Sequence, residues 1–231
     1  MKEIVIPKKV NIILEMLETE GYEAYIVGGC VRDILLGLIP KDWDIAASAT
    51  PEEIKRVFCE YKIVDKGERF GTIGVYEKQA SGGLYEITTF RREKSYNDGR
   101  HPESVIFTEE VEEDLARRDC TINGMAFNEK RGLIDLFGGL DDLESGKIRV
   151  IGSPKKRFAE DGLRIVRAMR FASKFGFSIE KNTESAIYAF KDIAKRIASE
   201  RLSSEFEELI LGDFADEAIN RYRDVLKDIL S

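Results

Sequence analysis

AYIVGGCVRDILLG, residues 24–37, and KDWDIAA, residues 41–47, together decide the fold of this chain. The first stretch reads as a short apolar strand, a Gly28-Gly29 turn and a helix from Cys30 to Leu36 that Gly37 closes. The second reads as a strand on which Asp42 and Asp44 alternate, so both carboxylates project from one side and Trp43 from the other. Two carboxylates a few ångströms apart repel unless a cation lies between them, and Mg²⁺, which prefers hard oxygen ligands, suits that position. A Gly-Gly turn between strand and helix lets backbone N–H groups and the helix dipole approach a polyphosphate, and Arg32, one turn inside, adds a full charge. Paired aspartates and Gly-Gly turns are each common on protein surfaces. Here Asp42 follows Gly29 by 13 residues, and the combination reads as a cradle for a triphosphate and its metal.

Working outward, Val10, Ile13, Leu14 and Leu17 recur at helical spacing, which predicts an amphipathic helix over 7–20 ended by Gly21. Thr50-Pro51-Glu52-Glu53 carries the N-cap, proline and capping-box pattern of another helix. Three strand-like runs follow at about 61–65, 72–76 and 84–89. On the last, alternation sets Glu86, Thr88 and Phe90 against Tyr85, Ile87 and Thr89, so Glu86 offers a third carboxylate from a neighbouring strand. It reads as a metal ligand, as an acceptor for a hydroxyl proton or, equally, as a solubilising edge charge. Arg91 and Arg92, just after it, read as phosphate contacts or as the strand's end. A polar loop at 97–102 precedes a helical stretch from Glu109 into Arg117-Arg118-Asp119. From Pro154 strand signals give way to helices. The fold class is α+β: a mixed-sheet domain over 1–150 and an all-helical domain over 151–231.

Composition narrows the function classes. With 231 residues and 43% hydrophobic content, the chain buries a sizeable core without disulfides. Its three cysteines are odd in number and far apart, which fits a cytoplasmic location. There is no apolar run long enough to span a bilayer. A net charge of -7 excludes nucleic-acid binding over the whole surface, so any such site is local. Between Arg149 and Lys174, eight basic residues oppose two acidic ones, a net +6, read either as that site or as a solvated helix face. His101 is the only histidine, and there is no nucleophile elbow, Walker loop or Cys-His pairing. Positioning and metal electrostatics remain as the chemistry this sequence can support.

Six stretches then fall in one order: GGCVRD (28–33), KDWDIA (41–46), RFGTI (69–73), EITTFR (86–91), DLARRDCTINGMA (114–126) and EDGLRIVRAMRF (160–171). The chain resembles, over about residues 20–211, the class II tRNA nucleotidyltransferases and bacterial poly(A) polymerases. The resemblance implies a polymerase-β-like head over 1–150 and a helical neck after it that reads the incoming base. It implies that Gly29, Arg32 and Arg118 hold nucleotide phosphate or sugar and that Asp42 and Asp44 hold two Mg²⁺ ions. It also implies that Asp161, Arg164, Arg167 and Arg170 form the nucleotide-binding helix, that CTP and ATP are substrates, and that the acceptor is a tRNA 3′ end. Asp161 and Arg164, three apart on that helix, are expected to pair into one edge that complements cytosine and adenine. CCA addition is the leading expectation, with poly(A), CC-only or A-only addition as family alternatives and an inactive nucleotide-sensing or RNA-binding module as the outsider. The family's body and tail domains are expected beyond Ser231. Cys120 and Gly124 depart from the family's usual aromatic residue and alanine, which bears on packing.

Overall fold

The computed structural model of the chain describes residues 4–76, 83–93 and 105–230. The loop read at 97–102, with His101, lies outside them. Two compact units emerge: the first from residues up to 93, 105–118 and 123–136, the second from 119–122 and 137–230. Among the described residues no helix is long and apolar enough to cross a membrane.

In the first unit the local signals become elements at nearly the expected limits. Helix α1 (Lys8–Thr19) buries Val10, Ile13, Leu14 and Leu17. Strand β1 (Ala24–Val27) is buried throughout and runs into α2 (Gly29–Leu36), which ends at Gly37 with a φ of 78°. Strand β2 (Asp44–Ala47) leads to α3 (Pro51–Val57), whose Thr50 cap exchanges hydrogen bonds with Glu53 in a full capping box. Strands β3 (Lys62–Val64), β4 (Thr72–Tyr76) and β5 (Leu84–Thr89) follow. Four strands had not been expected: β6 (Arg91–Glu93), β7 (Val105–Phe107), β8 (Met125–Asn128) and β9 (Gly132–Asp135), with α4 (Val111–Ala116) before the last two. They are three or four residues long, too short to show a period against the sequence background.

The main sheet runs β3-β4-β5-β2-β1-β8-β9, antiparallel except for the β2–β5 pair. Its register lines up Ile73, Ile87, Ile45 and Ile26 across four strands, each 0–1% exposed. Burying a side chain of this kind stabilises the fold by roughly 1.5–3 kcal/mol. This row fixes the register, because a one-residue slip would turn all four isoleucines to the opposite face.

The second unit contains α5 (Gly139–Glu144), β10 (Lys147–Ile148), α6 (Pro154–Glu160), α7 (Leu163–Phe175), β11 (Ser178–Ile179), α8 (Lys181–Ala194), α9 (Ser199–Ile210), α10 (Ala215–Arg221) and α11 (Arg223–Leu230). It is helical with one exception: β10 and β11 pair in parallel, so a strand does occur after Pro154. Cys120 bridges to Val150, and this contact draws residues 119–122 and 137–150 into the second unit. By packing, the first unit ends at Leu136 and the second continues from Phe137, ahead of the boundary read near residue 150.

Candidate functional site

Register brings the carboxylates of the first unit together. Pairing Ile26 with Ile45 sets the end of β1 against the start of β2, so the Gly28-Gly29 turn and Asp44 meet at one sheet edge. Asp44 pairs with Glu86 across β2 and β5, and Glu86 with Gly74 on β4. Laterally paired residues share a face, so both carboxylates lie opposite the isoleucine row, and both are exposed. Phe90, expected on the face of Glu86, lies one residue past the strand and is buried at 0% exposure, its ring centroid 6.2 Å from that of Tyr25.

Asp42 departs from expectation. Strand β2 begins at Asp44, and Asp42 lies in the bend before it, so strand alternation does not set its direction. It remains close enough to act on Asp44. The Asp44 carboxyl is pushed up by desolvation against the protein on its inner side; Arg118 and Arg32 pull it down and Asp42 adds to the rise, leaving it above the ordinary value.

Two guanidinium groups crowd the glycine turn. Arg32 is 5% exposed; it donates from Nε to Asp33 Oδ1 at 2.8 Å and from Nη1 to Asn123 Oδ1 at 2.5 Å. A Cβ on Gly29 would lie 3.4 Å from Arg32 Nη2. Gly28 has a φ of 74°, which requires glycine, and a Cβ there would lie 2.7 Å from Arg118 Nη1, so a larger residue would also push that guanidinium aside. Arg118 is anchored by Asp114 Oδ2 at 3.0 Å, while Arg117 takes the other oxygen at 2.7 Å. No side chain caps α2, whose first turn faces this turn. Asn123, 91 residues from Arg32, carried no sequence signal as a partner. Arg91 serves the fold, donating to the Phe70 carbonyl and, through its backbone N–H, to Asp114 at 3.4 Å. Arg92 pairs at the surface with Glu113 at 3.4 Å.

The second unit overturns the expected geometry of Asp161 and Arg164. They are not stacked on one helix: Asp161 is extended (φ −146°, ψ 107°) at the joint between α6 and α7. Its Oδ1 accepts the Leu163 N–H at 3.0 Å and its Oδ2 pairs with Arg201 at 3.1 Å. Arg164, 8% exposed, donates to Glu160 at 3.0 Å and to the Arg157 carbonyl at 3.2 Å. Arg167 pairs with Asp119 at 2.7 Å, and Arg170 with Glu205 at 2.7 Å and with Glu208. Arg149 pairs with Asp142 at 2.9 Å and Arg157 with Glu160, an acid of the run itself, at 2.9 Å. The five arginines of the basic run thus stand in ion pairs, while Lys155 and Lys156 are exposed.

A glycine turn at a strand end, with carboxylates on the adjoining strands and arginines over the turn, belongs to a head of the polymerase type. Residues 24–149 match the Poly A polymerase head domain, and residues 176–225 match the probable RNA and SrmB-binding site of polymerase A. The chain belongs to the Poly A polymerase head-domain family. It is 48% identical to the CCA-adding enzyme of Ligilactobacillus salivarius over 94% of this chain and 52% of that protein. The CCA-adding enzyme of Leuconostoc mesenteroides is 47% identical, over 90% of this chain and 50% of its own length. Among solved structures, the Bacillus stearothermophilus CCA-adding enzyme in complex with CTP gives a TM-score of 0.85 at 40% identity, covering 93% of this chain and 51% of its own. The Thermotoga maritima CCA-adding enzyme complexed with a tRNA gives 0.78 at 30% identity, over 95% and 52%. The chain spans about half the length of the curated relatives it matches.

Proposed function

We propose that this chain is the nucleotide-binding and catalytic half of an enzyme that adds C and A to the 3′ end of tRNA without a nucleic-acid template. One observation carries the reading: the register that sets Asp44 beside Glu86 at the same edge as Gly28, Gly29, Arg32 and Arg118. The names of the related proteins support it, since those compared above are CCA-adding enzymes, one with CTP and one with tRNA.

The site suits divalent metal. Among the described residues no three His, Cys, Asp or Glu side chains gather into a cage, and Mg²⁺ does not need one: it uses one or two carboxylates, with water and substrate phosphates completing its shell. Asp44, raised by desolvation and by Asp42, gains from a cation beside it. We assign Asp42 and Asp44 as the ligands of two Mg²⁺ ions, which when bound lower the pKa of the attacking hydroxyl and neutralise the triphosphate. The Gly28-Gly29 turn and α2 N-terminus, with Arg32 and Arg118, hold phosphates and sugar. The tRNA 3′ oxygen bonds to the α-phosphorus of CTP or ATP, the bond to the β-phosphate oxygen breaks, and pyrophosphate leaves. Glu86 takes the hydroxyl proton. In the second unit, Asp161 reads the base amino group, and Arg164, Arg167 and Arg170 are that unit's further nucleotide contacts.

The test is a sequencing gel of tRNA lacking CCA, incubated with the chain, labelled CTP or ATP, and Mg²⁺. Stepwise C, C and A additions are expected, and Asp42→Ala and Asp44→Ala are expected to abolish them without unfolding the protein. A long A tract would make it a poly(A) polymerase. Nucleotide binding without incorporation would make it a binding module.

A further inference from the structure

The sheet face that bears Asp44 and Glu86 carries more than carboxylates. In one lateral row Val64, Gly74, Glu86 and Asp44 stand side by side on β3, β4, β5 and β2. Strand β2 begins at Asp44, so the next row outward consists only of Lys62, Tyr76 and Leu84, about 7 Å further along their strands. These three form a ledge beside the candidate site. Leu84 is 45% exposed and Lys62 is exposed, while Val64 and Tyr76 are half-buried. Gly74 shapes the ledge: a Cβ there would lie 2.9 Å from Leu84 Cδ1 and 3.4 Å from Val64 Cβ. Its missing side chain lets Leu84 lean over the position laterally next to Glu86. Lys62 Nζ lies 5.0 Å from the centre of the Tyr76 ring, a cation–π contact weak enough at an exposed site to be exchanged for a phosphate.

We propose that Val64, Leu84 and Tyr76 are the floor of the acceptor subsite: the terminal nucleoside of the RNA rests on them with its 3′ hydroxyl toward Glu86 and Asp44, and Lys62 takes the phosphate on its 5′ side. The proposal rests on the reading of Asp44 and Glu86 as the reacting edge. The chemistry of the ledge matches the end of a single strand, which offers an apolar sugar and base face for stacking and a phosphate for a cation. Stacking also tolerates any base, as a subsite must if the terminal nucleoside changes with each addition.

The test is fluorescence anisotropy of a 5′-labelled single-stranded RNA hexamer ending in CC, titrated with the full chain in Mg²⁺ without nucleotide, beside calorimetric titration with CTP. Tyr76→Ala is expected to weaken the RNA about tenfold, the loss of one base–aromatic stack, and Tyr76→Phe to restore it; CTP stays within about twofold in both. Lys62→Gln is expected to weaken the RNA and to flatten the slope of log affinity against log salt by about 0.7, the share of one phosphate on a single strand. A lysine that only deters pairing at the edge strand β3 would leave that slope unchanged. Parental RNA affinity in Tyr76→Ala overturns the floor, an unchanged slope in Lys62→Gln overturns the phosphate contact, and a parent that does not bind the hexamer overturns both. If Tyr76→Ala melts below the assay temperature, Leu84→Ala at its exposed position decides: weakened RNA supports the floor and parental affinity overturns it. The gel assay with tRNA reports on the catalytic reading separately. Absent incorporation, with the variant effects on RNA binding intact, overturns the reaction and leaves the ledge as an RNA-binding surface.

Discussion

Replacing Asp114 by Asn removes one charge at a position that is 0% exposed and on which two arginines depend. Its Oδ1 accepts Arg117 Nη2 at 2.7 Å and Nε at 2.9 Å, and its Oδ2 accepts Arg118 Nη2 at 3.0 Å. Asparagine offers one acceptor oxygen and, on its other side, an NH₂ that faces guanidinium donors. One arginine therefore loses its ion pair with residue 114. Breaking a buried pair from one side costs about 3–5 kcal/mol. Arg117 and Arg118 are 15% and 17% exposed, so water recovers part of the loss and the low end, about 3 kcal/mol, is expected. For a chain of this size that is a fall in Tm of about 6–12 °C.

The effect of pH gives an independent check. Burial alone would raise the Asp114 carboxyl, but Arg118 and then Arg117 outweigh it and hold the group below its ordinary value. A depressed folded pKa contributes stability that is present above the unfolded value, about 3.9, and is lost as pH falls through the folded one. Asn has no such dependence, so the gap between parent and variant should close below about pH 4. Urea denaturation at pH 7 and at steps down to pH 3 measures both. A loss under about 1 kcal/mol at pH 7, or a gap that does not narrow in acid, would refute the reasoning. On the proposed function, Arg118 leaves its place over Gly28, and CTP affinity should fall in the same variant.

Gly28→Ala, at φ 74° and ψ −125° where glycine alone is at ease, should cost about 1–3 kcal/mol and displace Arg118, whereas Gly29→Ala, with ordinary φ and 3.4 Å of room, should cost less; paired melts and CTP titrations compare them. Asn123→Ala removes the hydrogen bond from Arg32 Nη1 and should weaken tripolyphosphate binding about tenfold with little change in Tm, as calorimetry would show. Because the Asp44 carboxyl is raised, it takes up its proton at a higher pH than an ordinary aspartate. Mn²⁺ affinity followed by electron paramagnetic resonance should therefore begin to fall on acidification above the usual carboxylate range; Asp44→Asn should show weak binding without that step.

Local chemistry was legible from the chain alone. The apolar stripe of α1, the Thr50–Glu53 capping box, the glycine stop of α2 and the turn at Gly28 all act within a few residues, and each appears where spacing put it. Lateral neighbours were not legible. That Glu86 stands beside Asp44 depends on a parallel pairing of strands 42 positions apart, and β6 to β9 are too short to announce themselves. The error at Asp161 has the same origin: three-residue spacing brings side chains together only while the helix is unbroken, and here α6 ends at Glu160 and α7 starts at Leu163. Asn123 against Arg32 and Arg201 against Asp161 are hydrogen bonds across 91 and 40 residues. Such contacts leave no period in the sequence, because they are set by how whole elements pack and not by the rise or twist of any one of them. The residue types for the proposed phosphate and metal site were thus written in the chain, while the partners that hold each of them in place were decided by the tertiary structure.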